Sequence, residues 1–308
     1  MGRRTPPRLL GARRRNKRTV RKAYVLDAFS HGDIQRWADA SERTRKYHWD
    51  YYSHLAHLRA EIFDQLKESL ATKTRAHVIS NWCRIVPNKF VNAPLSAQGS
   101  VLNEVGGRFN IGSIDETLYS KFPALYVGED FEAAFREKFG VTSGDSTGGL
   151  RAEEMAFCAK DSFSVFSLSG RIESVLDIND PSAVEPFVNL ISRFKMPRTL
   201  MAKAKSLRLP APSVVSDVAS LLKTLFDPNW RINATAFNVP AGPQLFGQIV
   251  HAAGIEGILY RSKHGHKNCL AVFPENFKSS DSYIEINGEL AATLQPKRLD
   301  ASTWASTV

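Results

Sequence analysis

The sequence lacks the long apolar segments that are typical of membrane proteins. Its 308 residues contain no uninterrupted apolar run of about eighteen residues, the length that a transmembrane helix needs. The N-terminus is basic but has no apolar core that would make it a secretory signal peptide. We therefore expect a soluble, cytoplasmic protein that makes no membrane contact.

Cysteine is also scarce. Cys83, Cys158 and Cys269 are odd in number and far apart, which fits a reducing compartment and neither a disulfide framework nor a zinc site. His264 and His266 have the spacing of metal ligands, but no third ligand type lies nearby. These histidines fit a basic hairpin turn better, and we expect no metal site.

Several catalytic signatures are missing as well. The sequence has no GxxxxGK[ST] phosphate loop, no GxGxxG motif after a strand, no HExxH motif and no GxSxG motif. These absences argue against a P-loop kinase, a Rossmann dehydrogenase, a zinc metalloprotease and an α/β-hydrolase.

Acidic residues are absent from the N-terminal tail. Residues 1–22 hold ten of the 41 Lys and Arg residues, and the other 31 basic residues match the 31 acidic ones. The net charge of +10 therefore lies in a tail, residues 1–24, that we expect to be disordered. Such a tail contacts nucleic acid or another acidic surface, or is solvated without a specific partner, and both possibilities stay open.

A helical pattern follows the tail. Between Asp33 and Leu70, apolar residues recur at steps of three and four, as on one face of a helix. The stripe consists of Tyr47, Tyr51, Leu55, Leu58, Ile62, Leu66 and Leu70. We expect a helix or helical pair in an N-terminal module over residues 25–78. This module would pack on the main domain, with binding of a partner helix as the alternative.

Beyond this module, short apolar runs alternate with turn residues. They predict strands at Val78–Val86, Ala124–Gly128, Met155–Ala159, Ser164–Leu168, Ser174–Ile178, Gly257–Tyr260 and Asn268–Phe273. Helices are predicted over residues 181–226, broken at prolines such as Pro186, and over residues 244–253, ending at Gly254. Because strands and helices mix without a βαβ rhythm, we expect an α+β fold. The residues after Pro296 are predicted to form a loose tail.

Glu137 is the strongest catalytic candidate. If Asp130 caps a helix, a rotation of about 100° per residue places Glu137 between Ala133 and Ala134, on a strip of small residues. The other faces carry an ion pair and an aromatic row, formed by Glu132, Arg136, Phe131, Phe135 and Phe139. A carboxylate on the small strip can bond a sugar hydroxyl or stabilise a developing positive charge. The alternative is an ordinary exposed glutamate.

Two arginines are candidates for binding an anion. Arg84 lies in an apolar run, residues 82–86, and arginine is seldom buried unless it is paired. It would meet an acid such as Glu137, face a ligand anion, or lie at a strand edge in water. Arg108 follows a double glycine that lets the backbone approach a ligand, and its rigid fork suits a phosphate or pyrophosphate. Glycine pairs occur in many turns, so this motif is weak by itself.

Tyr126 and Ser262 complete the set of candidates. Tyr126 would stack on a flat ring while its hydroxyl finds a polar partner, or it would fill the core beside its strand. Ser262 closes the strand candidate GILYRS at residues 257–262. It would present a hydroxyl at a sheet edge, or merely begin the following turn.

In this order, the segments resemble the RES domain, a family named for an arginine, a glutamate and a serine. The resemblance rests on Arg84, GGRFN at 106–110, LYV at 125–127 with a helix reaching Glu137, GILYRS at 257–262 and NCLAVF at 268–273. The three family residues correspond to Arg84, Glu137 and Ser262. The resemblance covers residues 79–277, is loose between 141 and 240, and leaves residues 278–308 as a C-terminal extension.

The resemblance implies a mixed β-sheet core similar to ADP-ribosyltransferases, here with a helical N-terminal extension. It also implies an enzyme that uses NAD+ as substrate, needs no cofactor, and releases nicotinamide by hydrolysis or phosphorolysis. Many members are toxins, each neutralised by an antitoxin with a helix-turn-helix part. In this frame, Arg84 and Arg108 hold the pyrophosphate or ribose, and Tyr126 stacks near nicotinamide. Glu137 binds the nicotinamide ribose and stabilises its oxocarbenium-like transition state, and Ser262 orients the ribose or the glutamate.

Two other functions stay open. The same site chemistry would serve ADP-ribosyl transfer to a macromolecule, so that water, phosphate and a macromolecule are all candidate acceptors. Alternatively, the RES-like region is inert and the chain is a non-catalytic protein that binds nucleic acid through its basic tail.

Overall fold

The computed structural model describes residues 31–102, 104–139, 146–147, 150–151, 163–262, 267–288 and 293–308. The chain divides into two compact units, Met1–Lys46 and Tyr47–Val308. The division falls inside the first helix, α1 (His31–Glu61). None of the described helices is both long and apolar enough to cross a membrane.

The predicted helical stripe packs within the second unit. After α1 comes α2 (Phe63–Ala71), whose Leu66 and Leu70 are fully buried in the main core. Tyr47 of α1 packs on Leu200 and Ala204. The prediction that these helices pack on the main domain is therefore confirmed for Tyr47, Leu66 and Leu70 of the stripe.

Among the residues that the structure describes, the strands are β1 (Arg75–Pro87), β2 (Leu125–Gly128), β3 (Ser146–Thr147), β4 (Leu150–Arg151), β5 (Phe163–Asp177), β6 (Gly257–Arg261), β7 (Asn268–Val272), β8 (Tyr283–Ile286) and β9 (Arg298–Leu299). Among the helices that follow α2 are α3 (Phe131–Phe139), α4 (Pro181–Ile191), α5 (Arg198–Leu207), α6 (Val218–Leu225), α7 (Arg231–Phe237) and α8 (Gly242–Ala252). Gly254 follows α8 with a φ of 75°, as expected for a glycine that ends a helix.

In the described ranges, the main sheet has seven strands in the order β1-β2-β7-β6-β5-β8-β9. Since β1 also pairs with β5, the strands β1, β2, β7, β6 and β5 form a closed ring of pairings. β5 and β6 run parallel, whereas the other pairs of this sheet are antiparallel. The fold is thus a mixed sheet combined with helices, as the sequence predicted.

Both faces of β7 are buried. Cys269 and Ala271 belong to a core shared with the helices, while Leu270 and Val272 belong to a second core on the opposite face. This alternation follows from the period of two in a strand. Burial on both sides explains why the segment reads as a continuous apolar run.

One continuous strand, β5, replaces the two strands predicted at Ser164–Leu168 and Ser174–Ile178. Gly170 lies between them, and a Cβ there would be 2.1 Å from the carbonyl oxygen of Tyr283 in β8. The close approach of β8 requires a glycine at this position, and Gly170 does not interrupt β5. The strand predicted at Met155–Ala159 and the turn at His264 and His266 lie outside the described residues.

The predicted break at Pro186 was wrong. Pro186 lies inside α4, which begins with an Asp180 cap and Pro181. Val184 and Phe187 of this helix are buried in the main core. Their packing outweighs the backbone hydrogen bond that a proline cannot donate.

The prediction of a loose tail after Pro296 was also wrong. β9 pairs with β8, and Leu299 is fully buried. Farther on, the Ala97 N–H donates to the Thr307 carbonyl at 2.7 Å. Because these contacts are made with residues far away in the sequence, the local sequence pattern does not predict them.

Candidate functional site

A cavity of about 440 Å³ opens at the ends of β1 and β2. Arg84, Arg108, Tyr126 and Glu137 all line it. Ser262, the fifth predicted residue, bonds to Glu137. The structure therefore brings the five predicted residues together, although they come from β1, a loop, β2, α3 and the end of β6.

Helix α3 carries Glu137 to the cavity. The Ala133 N–H donates to the Asp130 carboxylate at 2.8 Å, which confirms the predicted cap. A Cβ on Gly128 would lie 2.4 Å from the Ala134 nitrogen, so the helix rests on the backbone of β2. The small-residue strip thus allows the helix to approach the backbone of β2 closely.

The other faces of α3 also follow the prediction. Arg136 Nε donates to Glu132 Oε1 at 3.0 Å. Phe135 is buried between Phe131 and Phe139, with ring centroids 5.6 and 4.7 Å away. With these two faces occupied, Glu137 on the remaining face lines the cavity.

A short hydrogen bond joins Glu137 to Ser262. The Ser262 hydroxyl donates to Glu137 Oε1 at 2.7 Å, and Ser262 is buried. Ser262 is placed by its own backbone, because its N–H donates to the Lys267 carbonyl at 2.9 Å and extends the β6–β7 pairing. The serine therefore holds one carboxylate oxygen in a fixed position.

Arg84 is bonded to the protein backbone. Its Nε, Nη1 and Nη2 atoms donate to the carbonyls of Pro94, Tyr126 and Ser96, at 2.6, 3.1 and 2.7 Å. Burial lowers the pKa of this guanidinium to about 10. Between Arg84 and Glu137, both of them described residues, the structure has no ion pair, so of the alternatives for Arg84 the pairing with Glu137 is not formed. Arg84 instead ties β1 to β2 and to the loop at residues 94–96.

The segment at residues 106–110, the glycine loop, has an internal framework. Gly106 has a φ of 84°, which favours glycine. Buried Asn110 accepts at Oδ1 from the Gly107 N–H and from the Tyr126 hydroxyl, both at 2.9 Å. That hydroxyl also accepts from the Phe109 N–H at 2.9 Å. The hydroxyl of Tyr126 thus has the predicted polar partners, and burial raises its pKa.

Gln244, a residue that the sequence interpretation missed, fastens the glycine loop to α8. Its Nε2 donates to the carbonyls of Gly107 and Asn110 at 3.2 and 3.0 Å, and also to that of Val105. Its Oε1 accepts from the Ala241 N–H at 3.0 Å. Gln244 is completely buried, so its amide satisfies backbone groups that water does not reach.

A second arginine, Arg231, accompanies Arg108 at the cavity and was also missed. Arg108 Nη1 donates to the Leu225 carbonyl at 2.9 Å, and its guanidinium carbon lies 5.8 Å from the Trp230 ring centroid. Arg231 lies over the same ring at 4.5 Å. Desolvation, and then the charge of Arg108, lowers the pKa of Arg231. Two arginines on one indole ring make this wall attractive to a pyrophosphate.

The thiols near the cavity are not activated. Burial, followed by the charge of Glu137, raises the pKa of Cys269. Burial and the charge of Asp130 raise the pKa of Cys83. Both thiols therefore stay protonated near neutral pH, and the carboxylate of Glu137 is the better candidate for the chemistry. In the described part of the chain, no group of three or more His, Cys, Asp or Glu side chains is arranged to hold a metal ion.

Comparison with known proteins adds the family. A chain in the crystal structure of the M. tuberculosis MbcT-MbcA toxin-antitoxin complex is similar at 13% identity and a TM-score of 0.40, over 79% of this chain and 96% of that chain. No curated protein matches the sequence. The family model described as RES domain matches residues 81–293, which include all five predicted site residues. Since this match spans well over half of the 308 residues, the chain belongs to the RES domain family.

Proposed function

We propose that this protein is an enzyme that degrades NAD+ and releases nicotinamide, as a glycohydrolase or a phosphorylase, and that it acts as a toxin. The observation that carries the proposal is the Glu137–Ser262 pair at the wall of a cavity that also holds Arg108. The cavity volume of about 440 Å³ lies within the range of small-molecule sites.

In the proposed reaction, the bond between the ribose C1′ and the nicotinamide nitrogen breaks. Its electron pair leaves with nicotinamide, which becomes neutral, and positive charge develops on the ribose. The Glu137 carboxylate stabilises this charge while Ser262 fixes one of its oxygens. An oxygen of water or phosphate then bonds to C1′, and a proton released from that acceptor passes to solvent. Since nicotinamide leaves as a neutral molecule, no strong acid is needed.

The arginine wall would hold the rest of NAD+. The guanidinium carbons of Arg108 and Arg231 lie 5.8 and 4.5 Å from the centroid of the Trp230 ring, and a pyrophosphate that reaches both groups can bond to each of them. The Tyr126 hydroxyl is committed to the glycine loop, so only its ring is available to nicotinamide. Direct contact between Arg84 and NAD+ remains a prediction. The hydrogen bonds from Arg84 to three backbone carbonyls support a further role for this residue in shaping the cavity.

We further propose that the sheet is related to that of ADP-ribosyltransferases and that a protein antitoxin with a helix-turn-helix part inhibits the enzyme. The similar M. tuberculosis chain belongs to a toxin-antitoxin complex. ADP-ribosyl transfer to a macromolecule is the second enzymatic proposal, since the same carboxylate would stabilise the same transition state.

The test is to incubate purified protein with NAD+ in phosphate-free and phosphate-containing buffer and to identify the products by mass spectrometry. Free ADP-ribose in both buffers indicates a glycohydrolase. A phosphorylated ADP-ribose that forms only with phosphate indicates a phosphorylase. ADP-ribose attached to protein or nucleic acid of a cell extract indicates transfer. NAD+ that remains intact under all three conditions would contradict the proposal and favour a non-catalytic role for the basic tail.

A further inference from the structure

A second cavity, of about 870 Å³, lies among helices of the second unit. The C-terminal half of α1, with α4, α6 and α8, contributes to its wall, and Glu137 and Ser262 do not line it. Its aromatic surface comes from Tyr51, Tyr52, Phe187, Phe194, Phe226 and Phe246. Both the volume and the apolar, aromatic lining are typical of sites for small molecules.

Arg59 of α1 supplies a positive charge to this aromatic cavity. It is half-buried, and its guanidinium carbon lies 5.8 Å from the Tyr52 ring centroid. No hydrogen bond or ion pair joins Arg59 to another residue in the described ranges, whereas buried Arg136 on α3 bonds to Glu132. Burying a cation without a neighbouring anion is energetically unfavourable, so Arg59 is available to bind the anionic group of a ligand.

The charges of the described residues that line the cavity do not compensate Arg59. Among the described lining residues, Asp227 is the sole carboxylate, and Lys223 adds a second cation. Asp227 is exposed and accepts from the Asn229 N–H at 2.8 Å. Burial lowers the pKa of Arg59, and the nearby Tyr52 and Tyr51 oppose that shift.

We propose that this cavity binds a small aromatic anion, with its ring among the tyrosine and phenylalanine side chains and its carboxylate, sulfonate or phosphate on Arg59. Aromatic rings stack favourably on one another, and a charge-assisted bond to a guanidinium fixes the orientation. The site also adjoins the first cavity. Leu225 and Phe226 line it, and Arg108 donates to the Leu225 carbonyl and lies 5.8 Å from the Phe226 ring centroid.

The first test uses two fluorescent probes of similar shape on the full chain. One is 8-anilinonaphthalene-1-sulfonate, and the other is its uncharged counterpart N-phenyl-1-naphthylamine. The sulfonate should bind with about tenfold or greater affinity, as expected for a charge-assisted bond in a sheltered site. Equal affinities for the two probes would overturn the proposal, and this result needs no variant that has to fold.

Variants then locate the probe. Arg59→Gln should weaken sulfonate binding by about tenfold and leave binding of the neutral probe unchanged. Arg45→Gln is the matched control on an exposed part of the same helix, and Arg231→Gln is the control for the first cavity. Both controls should bind the sulfonate as the parent does. Retained affinity in Arg59→Gln, or a loss that appears in Arg231→Gln alone, contradicts the assignment. Since neither readout involves NAD+, failure here leaves the proposed enzymatic function untouched.

Discussion

The two walls of the first cavity are built differently. The carboxylate wall, Glu137 and Ser262, lies on α3 and at the end of β6, and both elements are fixed by the sheet. The arginine wall, Arg108 and Arg231, lies on a loop and at the start of the short helix α7, over Trp230.

This difference separates chemistry from binding. A carboxylate that stabilises the transition state must keep its position to within a fraction of an ångström, and regular elements provide this. Long cationic side chains that bind a flexible pyrophosphate need less rigid support. We therefore predict that changes in the carboxylate wall reduce kcat, while changes in the arginine wall raise KM.

The largest effect is expected for Glu137→Gln. This change removes the negative charge and keeps the shape, so kcat for nicotinamide release should fall by about 100- to 1000-fold. Steady-state kinetics, with thermal unfolding as a check of the fold, measure it. Glu185→Gln on an exposed face of α4 is the control and should retain parental activity. Full activity of Glu137→Gln would remove this carboxylate from the mechanism.

Ser262→Ala tests whether the hydrogen bond from Ser262 positions the Glu137 carboxylate. Loss of the 2.7 Å bond to Glu137 should lower kcat by about tenfold, since a hydrogen bond to a charged group contributes roughly 1.5–3 kcal/mol. KM for NAD+ should change less than kcat if the serine positions Glu137. A rise in KM at constant kcat would instead indicate that Ser262 contacts the substrate directly.

The carboxylate wall was the more predictable of the two. Helical periodicity around Asp130 suffices to place Glu137 on the small-residue face, because the relevant contacts lie within one helix and its adjacent strand. The pairing with Ser262 spans 125 residues, and only the family resemblance brought these two together. The contact partners of Arg84 were not predictable, since backbone carbonyls carry no sequence signal.

The arginine wall shows where prediction from sequence fails. Gln244 reaches the glycine loop across 137 residues at Gly107, and its own segment reads as an ordinary amphipathic helix. Arg231 follows Trp230 in a part of the chain where the family resemblance is loose. A Trp-Arg pair is a weak signal of a site, and the approach of Arg108 to the same ring is purely tertiary.

Gln244→Glu breaks the link between the glycine loop and α8. A carboxylate can still accept from the Ala241 N–H but cannot donate to the carbonyls of Gly107 and Asn110. We expect the free energy of unfolding to fall by about 1–3 kcal/mol and activity to fall severalfold. Urea unfolding measures the first effect. Gln248→Glu on the same helix is the matched control, and equal destabilisation by both changes would mean that the charge itself, and not the lost bonds, is responsible.

The smallest effect is expected for Arg231→Gln. Because Arg231 keeps part of its surface in water although it packs on Trp230, its contribution to binding a pyrophosphate should be modest, and KM for NAD+ should rise about two- to fivefold with kcat nearly constant. Nicotinamide riboside sharpens the test, since it has the scissile bond but no pyrophosphate. The variant and the parent should process it equally well, because the interaction lost in the variant has no counterpart in this substrate. An equal loss with both substrates would mean that Arg231 acts on the carboxylate wall, and the separation of chemistry from binding between the two walls would then be wrong.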